Sequence, residues 1–167
     1  RVARGSIGEI PCADAAFDIV TAFDVLYGLP DDLEQAAVRE MARVVKPGGA
    51  VYVWLYPREG ALREAVFGAA RSVTTRLPGP VLRTLCFAAA PLTAGVRSYS
   101  GTRFPEATWG ECAQVVHDWL APRLQSHHTF PEVARWAAEE GMGEVEELPV
   151  LVGAVAWKPA PGRAPGR

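Results

Sequence analysis

The 167-residue sequence predicts an α/β fold, and three neighbouring segments carry that prediction. The stretch FDIVTAFDVL at 17–26 begins as an apolar strand, LPDDLEQAAVREMARVV at 29–45 has the spacing of a one-faced helix, and AVYVWLY at 50–56 is an almost wholly apolar strand. A strand without polar alternation is typical of a sheet covered by helices on both faces. We therefore expect a strand–helix–strand unit with parallel strands and a right-handed crossover.

The ends of the predicted helix carry their own signals. Asp31, followed three residues later by Glu34, predicts the start, because acidic side chains accept from the free amides of a first turn and suit the helix dipole. Cations cluster in 39–46, where the dipole favours them, and the Pro-Gly-Gly sequence at 47–49 predicts a hard stop.

Composition narrows the class of protein. The chain is 49% hydrophobic with a net charge of −2, and this balance argues against a dedicated nucleic-acid surface. Its three cysteines, Cys12, Cys86 and Cys112, are widely spaced and form no CxxC pair, so we expect reduced core residues in a cytoplasmic protein. The histidines at 117, 127 and 128 have no carboxylate or cysteine at ligand spacing, so we expect no metal.

The most apolar run, 81–96, contains Arg83 and Pro91 and is too short to span a bilayer comfortably. We expect it to form a buried or cleft-covering helix rather than a stable membrane insertion, with interfacial contact as the alternative. No N-terminal signal peptide is visible in RVARGSIGEIP. The tail at 159–167, rich in Pro, Gly and Arg, has nothing to bury and is expected to be disordered.

Residues 61–128 interrupt the sheet pattern. Three segments with helical spacing, separated by PGP, SYSGTRFP and APR, predict a helical insertion that caps a cleft. The sheet pattern then resumes: Thr129 and Glu132 predict a capping box, Gly141 a helix end, and GEVEELPV and LVGAVAWK two closing strands. We therefore expect one partial domain over 1–158, with the insertion inside it.

The order of these parts resembles a known family. GSIGEIPCADAAFDIVTAFDVLYGLPDDLEQAAVREMARVVKPGGAVYVWLY is similar to the second half of class I S-adenosylmethionine-dependent methyltransferases, and HDWLAPRLQSHHTFPEVARWAAEEGM resembles a later segment of a subset of them. The resemblance implies a Rossmann-like methyltransferase sheet. The glycine-rich cofactor loop and the acidic residue for the ribose hydroxyls have no counterpart here, since no GxGxG occurs. We therefore expect a sheet truncated at the N-terminus, with an exposed edge that invites self-association.

The resemblance also implies cofactor-binding residues. Ser6 and Ile7 occupy the adenine segment, although Ser6 replaces the more common aspartate, and a plain loop is the alternative interpretation. Phe23, Asp24 and Tyr27 follow the first strand and would line the methionine and sulfonium region of S-adenosylmethionine. The alternative for Asp24 is a helix-approach turn in which it merely caps.

Histidine is the usual general base for methylation of a hydroxyl or an amine, because its pKa lies near neutrality. His117 and His128 are the candidates for catalysis, and the alternative for each is a surface or helix-end residue. Trp109, beside Gly110, is a candidate for contact with the substrate.

Together these features predict S-adenosylmethionine-dependent methyl transfer to a small-molecule acceptor, impaired in a chain without the glycine-rich loop. The alternative is a non-catalytic module, derived from a methyltransferase, that pairs with or regulates a partner chain. Pocket shape within 61–128 would decide the acceptor, which has no motif in the sequence.

Overall fold

The structure is a computed structural model that describes residues 2–58, 60–90, 108–148 and 152–162. The chain divides into two compact units, one formed by Arg1–Arg58 with Ser126–Arg167 and the other by Glu59–Gln125. Residues 126–128, which the predicted insertion included, fall in the first unit. Pro159–Gly162 of the predicted tail are described, whereas 163–167 lie outside the described residues.

Strands occur in the first and last parts of the chain, and the elements described between them are helices. In chain order the elements are β1 (Phe17–Phe23), a 3₁₀ turn (Leu26–Gly28), α1 (Asp31–Val44), β2 (Val45–Leu55), α2 (Ala61–Thr74), α3 (Gly79–Ala89), α4 (Trp109–Leu120), α5 (Phe130–Glu139), β3 (Val145–Leu148) and β4 (Val152–Trp157).

The four strands form one sheet in the order β1-β2-β4-β3. β1 and β2 are parallel and α1 connects them, which confirms the predicted strand–helix–strand unit. β4 pairs antiparallel with both β2 and β3, so the two closing strands are also confirmed. β1 lies at one edge, and among the described residues no strand pairs with its outer side.

The predicted start of α1 was wrong in its chemistry. Pro30, which has no side-chain acceptor, occupies the N-cap position in place of Asp31. Glu34 is instead turned inward and is only 1% exposed, because it lies on the same face of the helix as Ala37 and Met41. The carboxylate that the sequence suggested as a start signal is therefore a buried group.

The end of α1 also differs from the prediction. The helix ends at Val44 and β2 begins at Val45, so the Pro-Gly-Gly sequence lies inside the strand. Pairing slips there, because Phe17 is opposite Val45 whereas Ile19 is opposite Ala50. The ammonium of Lys158, from the far end of the chain, donates to the carbonyl oxygens of Ala42 at 2.6 Å and Val45 at 3.0 Å, and so satisfies the end of the helix.

One face of the sheet carries the core. Buried side chains of β2 and β4 pack there against α1 and α5 in a single cluster that includes Met41, Val51, Val53, Trp136 and Ala154. On the opposite face the described residues of β2 are only half-buried at Tyr52 and Trp54, which differs from the expected cover on both faces. The exposed apolar residues of that opposite face are Phe17, Ile19, Phe23 and Trp157.

Stacking explains how the aromatic side chains of the open face are accommodated. The ring of Phe23 stacks on that of Trp54, with centroids 4.9 Å apart, and on that of Tyr52 at 6.4 Å. Ring contacts of this kind remove apolar surface from water without a covering helix. This face is therefore shielded in part by its own residues.

The helical unit has small cores of its own. Leu82, Cys86 and Val116 join α3 to α4, and Thr108 and Glu111 form a capping box at the start of α4 that the sequence analysis missed. α2 has no buried residue. Of the predicted apolar run, 81–90 is described, with α3 ending at Ala89, and 91–96 lies outside the described residues. Within the described part of the chain, no helix is long and apolar enough to cross a membrane.

A charged network fastens the segment before β1 to α1. The Arg43 guanidinium donates to Glu40 at 2.7 Å, to Asp14 at 2.6 Å and to the carbonyl of Ile10 at 2.9 Å. Glu40 in turn accepts from the amide of Ile10 at 2.7 Å. The Arg43 hydrogen bond, followed by that amide, lowers the pKa of Glu40 to about 2.

We expect this network to weaken in acid. Because the pKa of Glu40 is lower in the folded chain than the usual 4.5, its contribution is complete above pH 4.5 and is lost as the pH falls toward 2. Glu40→Gln should lack that part of the pH dependence, whereas Glu147→Gln, at an exposed site, should keep it. Urea unfolding at a series of pH values from 6 to about 2 measures this. Parallel wild-type and Glu40→Gln profiles would contradict the assignment.

Candidate functional site

The carboxyl ends of β1 and β2 lie at the same edge of the sheet, because the strands are parallel, and open α/β sheets bind ligands at this edge. β1 ends at Phe23 and Asp24 follows with φ of 58°, a left-handed conformation that is uncommon outside glycine. Asp24 and Val25 are exposed there, whereas Leu26 is fully buried. Aspartate tolerates this conformation better than most residues, and here it places an exposed carboxylate at the edge of the sheet.

A buried polar cluster lies just behind this turn. The carboxylate of Glu34 accepts a short hydrogen bond from the Ser126 hydroxyl, and its other oxygen is 3.0 Å from Nε2 of His128. Glu34 is 1% exposed and His128 is 8% exposed. Ser126 also hydrogen bonds to the carbonyl of Tyr27, through both its amide at 2.8 Å and its hydroxyl at 3.2 Å. The cluster thus ties the turn after β1 to the chain that enters α5.

Backbone hydrogen bonds hold the same segment against the end of β2. The His128 amide donates to the Tyr56 carbonyl at 3.0 Å, and the Arg58 amide donates to the His128 carbonyl at 3.1 Å. Above them the rings of Tyr27 and Tyr56 meet edge to face with centroids 4.9 Å apart. The edge therefore presents two tyrosines and an exposed aspartate on a rigid polar base.

Charge at this base is arranged around His128. Its Nδ1 is 3.9 Å from Glu132, whose own pKa is lowered chiefly by the hydrogen bond from the Thr129 amide, with smaller contributions that include Arg58. Thr129 and Glu132 form the capping box that the sequence predicts at the start of α5, and this prediction is confirmed. Both ring nitrogens of His128 therefore have a carboxylate oxygen within 4 Å.

The adenine-segment residues lie in the loop before β1. Ser6 is exposed and its Oγ accepts from the amide of Gly8 at 3.2 Å, whereas Ile7 packs against the core. A Cβ at Gly8 would lie 2.5 Å from the side chain of Leu33 in the first turn of α1, so the loop is packed closely against the helix at the end nearest the sheet's carboxyl edge. Ser6 is therefore available to a ligand, and Ile7 offers only its backbone.

The other predicted residues have different surroundings. Phe23 is 60% exposed at the end of β1 and stacks on Trp54. His117 lies in α4, in the helical unit, with Nδ1 3.8 Å from the Asp118 carboxylate. The Trp109 indole donates to the carbonyl of Phe87 at 2.7 Å, which joins α4 to α3 and favours a structural role over substrate contact.

Sequence reasoning missed Glu34, Ser126 and Tyr56. A signal for Glu34 was present, since a glutamate that shares a helix face with Ala37, Val38 and Met41 must be buried with them. Ser126 and Tyr56 had no such signal, because their roles depend on contacts between distant parts of the chain. Within the described residues, no three His, Cys, Asp or Glu side chains converge as a metal site.

The fold is a Rossmann-like α/β sheet, and the carboxyl ends of its parallel strands form the candidate ligand edge. Residues 1–53 match the family model of a methyltransferase domain. The match includes β1 and α1 and ends within β2, so the Asp24 turn and Glu34 lie inside it. The resemblance to class I methyltransferases is therefore confirmed over this part of the chain.

Solved structures with a similar arrangement include an O-methyltransferase family protein from Burkholderia thailandensis, at 15% identity and TM-score 0.44 over 87% of this chain and 31% of that one. An S-adenosylmethionine-dependent methyltransferase from Methanosarcina mazei matches at 15% identity and TM-score 0.48, over 93% of this chain and 66% of that one. Another from Thermotoga maritima matches at 14% identity and TM-score 0.48, over 92% of this chain and 62% of that one. The chain spans 31% to 44% of the length of four of the similar structures.

Proposed function

We propose that this chain provides part of the active site of an S-adenosylmethionine-dependent methyltransferase that acts on a small-molecule acceptor. The observation that carries the proposal is the match of residues 1–53 to a methyltransferase domain, over the turn where the structure has an exposed, left-handed Asp24. Methyl transfer needs little covalent help from a protein, since alignment of the acceptor and exclusion of water are the main requirements. A rigid edge with exposed polar and aromatic side chains suits that task.

The described residues fit part of the cofactor. The exposed Asp24 carboxylate suits a positively charged sulfonium or ammonium group, the Phe23 ring offers an apolar surface beside it, and the Ser6 hydroxyl is available in the adenine segment. The cofactor, when bound, supplies a methyl group that is already electrophilic. The glycine-rich loop and the acidic ribose partner have no counterpart in the sequence, so we expect weak binding by this chain.

The residues around the edge then have distinct roles. Tyr27, three residues after Asp24, packs edge to face on Tyr56 and offers an aromatic surface for the acceptor or the cofactor. We assign His128 a positioning role, because it links α1 to the segment after residue 125 through the buried Glu34. His117, in the helical unit, remains the predicted general base for the acceptor.

Titration calorimetry of the full chain with S-adenosylmethionine and S-adenosylhomocysteine tests the proposal. We expect measurable binding, weakened about tenfold or more by Asp24→Ala, since loss of a charge-assisted contact costs about 1.5 to 3 kcal/mol. Asp18→Ala, at the opposite end of β1 and exposed, is the matched control and should bind as the wild type does. No binding by a folded, monodisperse chain would contradict the enzymatic role.

The open sheet edge favours a second candidate, a non-catalytic module that pairs with itself or with a partner chain. β1 has an unpaired outer side among the described residues, and Ile19 and Phe23 on its open face are 66% and 60% exposed. An unpaired strand presents free N–H and C=O groups, and an adjacent apolar face adds a hydrophobic driving force for association.

We expect the purified chain to self-associate through β1 and Ile19→Lys to reduce that association, because a lysine on an edge strand opposes pairing. Leu62→Lys is the matched control, since Leu62 is 81% exposed on α2 in the helical unit. Sedimentation velocity over a range of concentrations distinguishes the variants. A monomeric wild type, or equal dissociation by both substitutions, would rule out the edge as the interface.

A further inference from the structure

The helical unit contains an open surface pocket of about 670 Å³ whose lining is cationic. It lies beside the C-terminal half of α2 and the segment that follows α4, and this volume is within the usual range for small-molecule sites. Its lining includes Arg71, Arg76 and Arg123 and no aspartate or glutamate. All of its residues belong to the helical unit.

Some polar groups of this pocket already have hydrogen-bond partners within the chain. The Ser72 and Thr75 hydroxyls donate to carbonyls of α2, at 2.7 Å and 2.6 Å, so their protons are already used. Arg76 donates from Nη1 to the carbonyl of Ser72, which places it as a cation at the end of the helix. Ser72 and Thr75 therefore shape this pocket without supplying a free hydroxyl donor.

Arg71 has donors to spare. Its Nη1 donates to the Gln125 side chain and to the Trp119 carbonyl, which orients the guanidinium, while Nε and Nη2 make no hydrogen bond with the described residues. Partial burial lowers the pKa of Arg71, and no carboxylate among the described residues offsets its charge. Because a guanidinium stays protonated, the remaining donors of Arg71 favour an anion at this lining.

Arg123 is an exposed second cation on the same lining, and it forms no hydrogen bond or ion pair with the described part of the chain. The sequence bias agrees with this surface, since 59–125 contain seven arginines against five carboxylates while the whole chain has a net charge of −2. A neighbouring Leu124 gives the lining an apolar surface as well.

We propose that the helical unit binds a small organic anion, with a phosphate or carboxylate group held by Arg71 and Arg123 and an apolar portion against Leu124. Guanidinium groups favour such anions because their planar donors match two oxygens at once. The site is distinct from the sheet edge and does not depend on methyl transfer.

Titration calorimetry of the full chain with phenyl phosphate and with benzoate tests this site, with phenol as the neutral probe. We expect at least one of the anions to bind and phenol not to bind; whichever binds identifies the anionic group. Arg123→Gln should weaken binding about tenfold or more, which corresponds to about 1.4 kcal/mol. Because Arg123 makes no described contact, this variant should fold normally.

Two further variants complete the test. Gly68→Leu should abolish binding, because Gly68 lines the pocket and a Cβ there meets no atom within 4 Å, so a larger side chain fills the site instead of the core. Arg83→Gln removes the same charge from the exposed face of α3 and should leave binding unchanged. Absence of heat with both anions, or an equal loss in Arg83→Gln, would overturn the proposal.

Discussion

Glu34→Ala is expected to destabilise the first unit by about 3 kcal/mol, because it removes one partner of a buried polar cluster. The side chain is 1% exposed, and its loss removes the acceptor of one Ser126 hydrogen bond and the carboxylate that lies 3.0 Å from Nε2 of His128. An unsatisfied buried group costs its full desolvation penalty. Hydrogen exchange of the β2 amides measures the effect, since those amides report opening of the sheet.

Two variants separate the polar cluster from the helix itself. Glu139→Ala, at an exposed site on α5, should change stability by less than about 0.5 kcal/mol. The double variant Glu34→Leu with His128→Leu replaces the pair by apolar side chains and should recover much of the loss, since buried ion pairs are often no better than packed hydrocarbon. A double variant less stable than Glu34→Ala would contradict this explanation.

Gly49→Ala is expected to cost about 2 to 3 kcal/mol, an overpacking effect at the point where β2 passes closest to its neighbours. A Cβ there would lie 2.5 Å from the carbonyl oxygen of Asp18, 2.9 Å from Val45 Cγ2 and 3.0 Å from the carbonyl oxygen of Lys46. Two of these contacts are backbone atoms of the sheet and its slipped register, which have little freedom to move.

For Gly68→Ala, which is also a glycine-to-alanine change, we expect the opposite effect on stability. Gly68 is in the interior of α2 and its Cβ would meet nothing within 4 Å, so alanine should stabilise that helix by up to about 1 kcal/mol. Thermal unfolding of both variants against the wild type gives the comparison. A neutral Gly49→Ala would mean that the strand yields at this position.

The sequence was sufficient for the elements whose pattern is local. The order of an apolar strand at FDIV, a helix at 29–45 and a second strand at AVYVWLY predicted the parallel unit. Thr129 with Glu132 predicted the cap of α5. Each of these depends on residues only a few positions apart, and hydrophobic period and side-chain capping act at that range.

The features that were missed depend on distant contacts. Lys158 satisfies the end of α1 from more than one hundred residues away, and Ser126 reaches Glu34 across the whole helical unit in sequence. The open face of the sheet was also missed, because an apolar strand pattern indicates burial without stating what provides it. Of the candidate site, Asp24, Tyr27 and His128 were named from the sequence, whereas the partners of His128 in the buried base, Glu34 and Ser126, were not.

The backbone ladder at the end of β2 has a further consequence for how the chain is divided. Pro57 and His128 form a parallel bridge, and hydrogen bonds join Tyr56, Arg58 and His128, so the two ends of the helical unit leave the sheet side by side. A loop with adjacent ends is interchangeable with a shorter one. If a linker of about six residues replaced 59–125, the entropic cost of closing the loop would fall by about 2 kcal/mol, because that cost grows with the logarithm of loop length. Because its ends are adjacent, we expect that the helical segment can be exchanged between related chains. Such an exchange would change what the segment binds and would leave the sheet as it is.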